Sequence, residues 1–181
     1  MNQTQDSIVQ RYSCRDFADT PLTEAQIEAV AQAALASPSA MNRQPWHVII
    51  VTDRTLIREL SAECRALRAI AEPDLPLLDD PFYNAPCLVM IAVDDSKYAK
   101  LDCGILSQNV ALAAQGMGLG SLICGNARPP LDGPRGAEFK QRLHFPEGYQ
   151  FGMAVLIGTA LSGKEPHELD RNKLTLIPAE A

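Results

Sequence analysis

The seven residues Cys87–Val93 are all apolar, and this run constrains the fold more than any other feature of the sequence. Its length is typical of a β-strand and far too short to cross a bilayer, which takes about 20 apolar residues. A strand that carries no polar side chain has both of its faces buried. The sequence therefore predicts a central strand covered by helices on both faces, as in a layered α/β domain.

Further elements are predicted on both sides of this strand. Thr23 and Gln26 have the spacing of a helix capping box, and Asp53 is placed to cap a second long helix. We find no internal repeat, so the 181 residues are treated as one domain, 1–181. The predicted helices cover 7–12, 24–36, 54–70, 95 or 96 to 116 and part of 133–145, and the other predicted strands cover 46–51, 119–125 and 151–159.

Composition argues against several classes of function. The chain has 16 Lys and Arg against 22 Asp and Glu, and no basic segment that could neutralise a phosphate backbone. Its five cysteines are scattered and odd in number, which fits reduced thiols better than disulfides or a zinc site. The N-terminal residues 1–6 are polar and lack the apolar core of a secretory signal. We therefore expect a cytoplasmic protein that binds neither nucleic acid nor membrane.

The 25 residues from Cys103 to Ala127 contain no charged side chain. A helix without a charged face is normally buried on most of its sides. Two explanations remain open at this point. The helix lies at the centre of its own domain, or its small residues pack against a second copy of the chain.

Two arginines and a serine near the N-terminus form a candidate anion site. Arg11 and Arg15 are four residues apart, so on a helix they project from one face, with Ser13 close to them. Guanidinium groups bind oxyanions through two parallel hydrogen bonds and stay charged, which suits a phosphate. The alternative is that both arginines are solvated and pair with Asp16 and Asp19.

A second candidate is the loop 37–46, which lies between a predicted helix and a predicted strand. Pro38 and Pro45 restrict its path, and Ser39, Asn42 and Gln44 supply the donors and acceptors that a polar aromatic ligand would need. The alternative is an ordinary turn in which these side chains bind neighbouring backbone groups.

The sequence offers no catalytic side chain of its own. Gly116, Gly118 and Gly120 have neither the spacing nor the strand-before-helix context of a dinucleotide-binding loop. No nucleophile elbow and no metal-ligand spacing is present. Any chemistry is therefore expected to belong to a bound cofactor.

Two of these segments, 11–17 and 38–46, resemble the N-terminal signatures of the nitroreductase family of flavin enzymes. Segments 83–86, 118–121, 145–149 and 157–158 are similar to later landmarks of that family and follow in the same order. The resemblance thus covers nearly the whole chain, and its most specific part is the string from Pro38 to Trp46.

The resemblance implies both a fold and a reaction. The fold would be an α/β (α+β) three-layer sandwich with a central mixed sheet, assembled as an intertwined homodimer with FMN at the interface. NADH or NADPH would reduce the enzyme, and a small acceptor such as a nitroaromatic or a quinone would then take the electrons in a ping-pong mechanism. The alternatives are another reaction on the same scaffold, such as dehalogenation or flavin breakdown, or storage or sensing of FMN without turnover.

The resemblance also implies site residues by position. Arg11 and Ser13 would contact the FMN phosphate and ribityl chain, and Arg15 the pyrimidine edge. Tyr12, which stands where a second basic residue is common, is also expected to contact the cofactor. The other implied contacts are Pro38, Ser39, Ala40 and Asn42 from the partner subunit, Gly125 and Asn126 near the flavin N5, Arg171 and Lys173 from the C-terminal tail, and Met41, Phe82 and Tyr83 on the wall of the substrate pocket.

Overall fold

The computed structural model describes residues 2–166 and 168–179. No helix in this part of the chain is long and apolar enough to cross a membrane. Its helices and strands are α1 (Gln3–Gln10), α2 (Glu24–Leu35), β1 (Trp46–Val51), α3 (Arg54–Ala71), β2 (Cys87–Val93), α4 (Ala99–Gly116), β3 (Gly120–Cys124), α5 (Arg128–Asp132), α6 (Gly136–Arg142) and β4 (Gln150–Gly158).

The four strands form one sheet in the order β1-β2-β4-β3. All seven residues of β2 are buried, so the predicted central strand is confirmed. Its side chains alternate between two apolar layers: Val89 and Ile91 face one of them and Leu88 and Met90 the other. A strand between two such layers needs helices on both sides.

Helices cover both faces of the sheet. The layer that contains Leu88 and Met90 packs against α3, α5 and α6, through residues such as Leu60 and Phe139. The opposite layer packs against α2 and α4, through residues such as Val30 and Leu106. The three-layer α/β sandwich expected from the sequence is therefore confirmed.

The expectation of a mixed sheet is wrong in one respect, because every pair of neighbouring strands is antiparallel. β2 and β3 run in the same direction, as the intervening helix α4 suggests, but β4 lies between them and pairs with both. The parallel pairing seen in the described residues is an isolated bridge from Ser13 to Ser121.

Helix α4 contains most of the charge-free stretch, and the described part of its own chain covers it only in part, through the sheet, α1 and α2. Leu106, Val110 and Ala114 are fully buried against the sheet. On the other side Leu101 is 65% exposed and Ile105 is 36% exposed. The helix is therefore not enclosed by its own domain, and an apolar stripe remains on the surface of the protomer.

All five cysteines are buried and unpaired. Burial raises the pKa of Cys64 and Cys103 to about 11 and that of Cys87 to about 12. The thiolate is the reactive form of cysteine. At pH 8 we therefore expect less than about one thiol per native chain to react within minutes with an aromatic disulfide reagent, as measured by the aromatic thiol that the reagent releases. In denaturant all five thiols should react. Rapid reaction of several thiols in the native protein would contradict the burial described here.

Candidate functional site

The segment that follows α1 runs beside the edge strand β3 in extended conformation. The Cys14 amide donates to the Ser121 carbonyl (2.9 Å), and the Ala18 amide donates to the Thr159 carbonyl (2.9 Å). Helix α1 ends at Gln10, so the prediction that Arg11 and Arg15 lie on a helix is wrong. Both still point to the same side, because residues two apart in an extended chain share a face.

Over residues 11–15 this alternation divides the segment into a core side and an open side. Cys14 is fully buried in the core, whereas Arg11 and Ser13 are half-buried and Arg15 is exposed. The close approach of the segment to β3 requires a glycine at 120, because a Cβ atom there would lie 2.9 Å from the Cys14 Sγ.

Within residues 2–166 and 168–179 no acidic group pairs with either arginine on the open side. The Nε of Arg11 is buried and has no hydrogen-bond partner among the described residues. In the same part of the chain, the bond that Arg15 donates is a long one to the Ser13 carbonyl (3.4 Å). The alternative of surface ion pairs is wrong for Asp19, which binds Arg54 and Arg58 instead. A desolvated guanidinium N–H without an acceptor is costly, so this edge fits an anionic ligand such as a phosphate.

Tyr12, another of the expected cofactor contacts, lies on the other side of the same segment. Its ring packs against the core, and its hydroxyl donates to the Ser162 carbonyl (2.6 Å). Together with the bond from the Leu161 amide to the Asp16 carbonyl (3.0 Å), this bond fixes the beginning of the C-terminal tail beside the arginines.

Gly125 and Asn126 lie in the turn at the end of β3, close to Arg15. The bridge from Ser13 to Ser121 is parallel, so the two segments run in the same direction and Arg15 lies near the end of β3. Burial raises the pKa of the Cys124 thiol, and the amides of Asn126 and Ala127 and the charge of Arg15 act in the opposite direction. The structure thus brings Arg11, Ser13, Arg15 and this turn to one edge of the sheet.

The loop that contains Pro38, Ser39, Ala40 and Asn42 is held against α4. The Ala40 amide donates to both carboxylate oxygens of Asp102 (3.2 and 3.3 Å), and the Asn109 side chain donates to the Ser37 hydroxyl (3.0 Å). Met41, Asn42 and Gln44 have φ angles of 57°, 53° and 49°, in the left-handed region. This backbone is unusual for residues with side chains and is not that of an ordinary turn.

This loop and the Arg11 edge lie at opposite corners of the sheet. Trp46, which follows the loop, is level with Gln150 at the beginning of β4, whereas Ser121 is level with Ile157 near its end. The outer strands are three spacings apart, about 14 Å, and the offset along the strands adds about 20 Å. One chain therefore cannot place both groups of residues on the same small ligand.

The candidates for the substrate pocket lie in different surroundings. Met41 is 80% exposed at the tip of its loop. Tyr83 is half-buried and has a φ angle of 52°. Phe82 is fully buried in the core, so its side chain does not reach an open wall of the protomer.

Arg171 and Lys173 lie in a single 3-10 turn of the exposed tail, which Asp170 caps. Within the described residues neither side chain forms a hydrogen bond or an ion pair. The structure of the single chain therefore does not connect them to the Arg11 edge.

Sequence reasoning missed two residues that organise this region. Asp102 is only 2% exposed and holds the 38–42 loop. Arg54 binds the backbone oxygens of Asn84 and Ala85 (3.1 and 2.7 Å) and the side chain of Asp19. A basic residue at the first position of a helix is unfavourable for the helix dipole, and this signal could have identified Arg54.

Comparison with known proteins defines the class. The model of the Nitroreductase family matches residues 8–159. A nitroreductase with bound FMN from Desulfitobacterium hafniense is 40% identical, with a TM-score of 0.89 over 98% of this chain and 100% of that one. An FMN-dependent nitroreductase from Clostridium difficile is 27% identical, with a TM-score of 0.86 over 97% of this chain and 99% of that one. An NADPH-flavin oxidoreductase from Vibrio harveyi is 31% identical over 89% of this chain and 65% of that protein.

The fold and the match to the family model place this chain among the flavin-dependent oxidoreductases. It belongs to the nitroreductase family. The expected family, fold class, enzyme class and FMN cofactor are confirmed at this level. The unpartnered Arg11 Nε and the adjacent Ser13 fit the phosphate of such a cofactor.

Proposed function

We propose that this protein is a homodimeric FMN-dependent oxidoreductase that transfers electrons from NADH or NADPH to a small acceptor, such as a nitroaromatic or a quinone, by a ping-pong mechanism. The observation that carries the proposal is the row of Arg11, Ser13 and Arg15 on the open side of a segment fixed to β3, with a buried guanidinium N–H to which the described residues offer no acceptor. The buried, unpaired thiols favour the reducing environment of the cytoplasm.

Each residue of this edge has a defined part in the proposed site. Arg11 and Ser13 bind the phosphate and the ribityl chain, because a guanidinium and a hydroxyl supply several donors to oxyanions. Arg15 lies along the pyrimidine edge and stabilises the negative charge that develops there on reduction. Gly125 and Asn126 bring backbone close to the ring near N5. When bound, FMN supplies the hydride-transfer chemistry, and no side chain is required as an acid or base.

A second copy of the chain completes the proposed site with Pro38, Ser39, Ala40 and Asn42. The loop is attached to the first turn of α4 through Asp102. The helix α1, which leads to Arg11, lies at the other end of α4, where Ser7 and Gly116 line one cleft. The 18 residues of α4 separate these two points by about 27 Å. A two-fold dimer that pairs α4 antiparallel with its copy brings the first turn of one helix to the last turn of the other.

Exposed apolar groups support such a dimer. The surface stripe of α4, with Leu101 and Ile105, is one part of the interface. The tail, in which Leu174 and Leu176 are 64% and 82% exposed, is another, and it carries Arg171 and Lys173 to the phosphate of the proposed site. Removing such side chains from water is the dominant favourable contribution to association.

The proposed acceptor pocket lies between subunits. Met41, at the tip of the loop from one subunit, and Tyr83 of the other are the side chains offered for its walls. In the proposed mechanism reductant and acceptor occupy the same pocket in turn, and this order is what makes the kinetics ping-pong.

Anaerobic titration of the purified protein with NADH and then with NADPH, followed by visible absorbance, tests the proposal. We expect a yellow protein that at least one nucleotide bleaches stoichiometrically and that a quinone then restores. A yellow protein that neither nucleotide bleaches would favour storage or sensing of FMN. A colourless protein that FMN cannot reconstitute would exclude the proposed function.

A further inference from the structure

Asp102 is an acidic residue buried where a charged group is costly. It is only 2% exposed, and the Ala40 amide is the hydrogen-bond donor that the described residues give its carboxylate. Among those residues no arginine or lysine lies within ion-pair distance of it, although Arg43 and Lys97 line the same cleft. Aspartate is rarely buried without a charged partner. The bond from the Ala40 amide is therefore the interaction through which this carboxylate contributes to the structure.

The loop that receives this bond is otherwise shaped by bonds within itself and by the bond from Asn109 to Ser37 at its beginning. The Gln44 amide donates to the Ser39 hydroxyl (2.9 Å), and the Gln44 side chain donates to Asn42 (3.1 Å), but both bonds lie within the loop. Met41, Asn42 and Gln44 have left-handed backbone, which persists only where the surroundings enforce it. The bond from Ala40 to Asp102 attaches the loop to α4 directly beside these strained residues.

We infer that Asp102 is a positioning residue that holds residues 39–42 of one subunit in the conformation that receives the flavin bound by the other subunit. This inference rests on the proposed function. An anchored loop loses less conformational freedom when ligand binds, so its anchor contributes to FMN affinity without touching FMN.

The test compares FMN dissociation constants, measured by recovery of flavin fluorescence, for Asp102→Ala, Asp102→Asn and the control Asp95→Ala. Asp95 is exposed and lies just before the same helix. We expect Asp102→Ala to weaken FMN binding about tenfold or more, since the loop loses its anchor. Asp102→Asn should stay within about threefold of the wild type, because its amide oxygen still accepts from Ala40. Asp95→Ala should bind as the wild type does.

Wild-type affinity in folded Asp102→Ala would overturn the inference, as would an Asp102→Asn variant as weak as Asp102→Ala. Light scattering confirms that the compared variants have the same mass. If Asp102→Ala does not fold, hydrogen exchange of the Ala40 amide in the flavin-free wild type decides: slow exchange supports the anchor and exchange at the unprotected rate overturns it. A wild type that binds no FMN would instead refute the proposed function, and the exchange measurement would still test Asp102.

Discussion

Replacing Arg11 by alanine should weaken FMN binding by about 10- to 100-fold, because a hydrogen bond between charged groups contributes about 1.5–3 kcal/mol. The same change should leave the stability of the flavin-free protein unaltered or slightly higher. The reason is that the described residues offer the buried Nε of Arg11 no acceptor, so its removal relieves an unsatisfied donor instead of breaking a bond. Fluorescence titration with FMN and thermal unfolding of the flavin-free protein measure the two effects separately.

Arg65→Ala is a matched control for this experiment. Arg65 is exposed on α3 and pairs with the fully exposed Asp79, so its loss should change neither quantity by much. Arg11→Lys should retain part of the affinity, since lysine keeps the charge but not the planar fork that binds two oxygens. FMN affinity of Arg11→Ala within about threefold of the wild type would remove Arg11 from the proposed phosphate site.

The side on which the arginines lie could be predicted from the sequence, but not the conformation that places them there. A spacing of four residues gives a shared face in a helix, and it also gives one in an extended chain. Local pattern does not distinguish these cases in 11–17, because the deciding interactions are long-range. They are the bonds from Cys14 to Ser121 and from Ala18 to Thr159.

The strands themselves could be predicted, since β1 begins and ends as expected and β2 is the apolar run at the centre of the sheet. Their order could not. The pattern strand-helix-strand from β2 to β3 suggests neighbours, whereas β4, the last strand in the sequence, inserts between them. Insertion of a distant strand depends on how the apolar faces pack, and this information is not contained in the local spacing of residues.

Helix boundaries differ where side chains bind nearby backbone. Asp94 accepts from the Ser96 amide (2.9 Å), so the chain turns there and α4 begins at Ala99 instead of at 95 or 96. The predicted helix within 133–145 is α6 alone, and Pro129 and Pro130 open the separate helix α5 before it. The 38–42 loop was recognised as a candidate from its polar side chains, but its anchor Asp102 lies 62 residues from Ala40.

Arg54→Ala should be among the most destabilising substitutions of a polar residue in this chain. The Arg54 guanidinium donates to the Asn84 and Ala85 carbonyls (3.1 and 2.7 Å) and to the Asn84 side-chain oxygen (2.7 Å), and it pairs with Asp19. Ala85 is fully buried, so its carbonyl would be left without a donor. Losing several such bonds from a largely buried group costs about 2–4 kcal/mol, which lowers Tm by about 10 °C in a domain of this size.

Arg58→Ala is the matched control, because Arg58 lies one turn further along α3 and pairs with the same Asp19 but is 64% exposed. Its loss should lower Tm by less than about 3 °C, as expected for a surface ion pair. Arg54→Lys should resemble Arg54→Ala, since a single ammonium cannot bridge the two carbonyls and the Asn84 side chain at once. If Arg54→Ala and Arg58→Ala unfold at the same temperature, the contacts of Arg54 do not stabilise the turn at Tyr83 and Asn84, whose backbone is left-handed. A large difference between them would show that the contacts from Arg54 to Asn84, Ala85 and Asp19 stabilise the fold well beyond a surface ion pair.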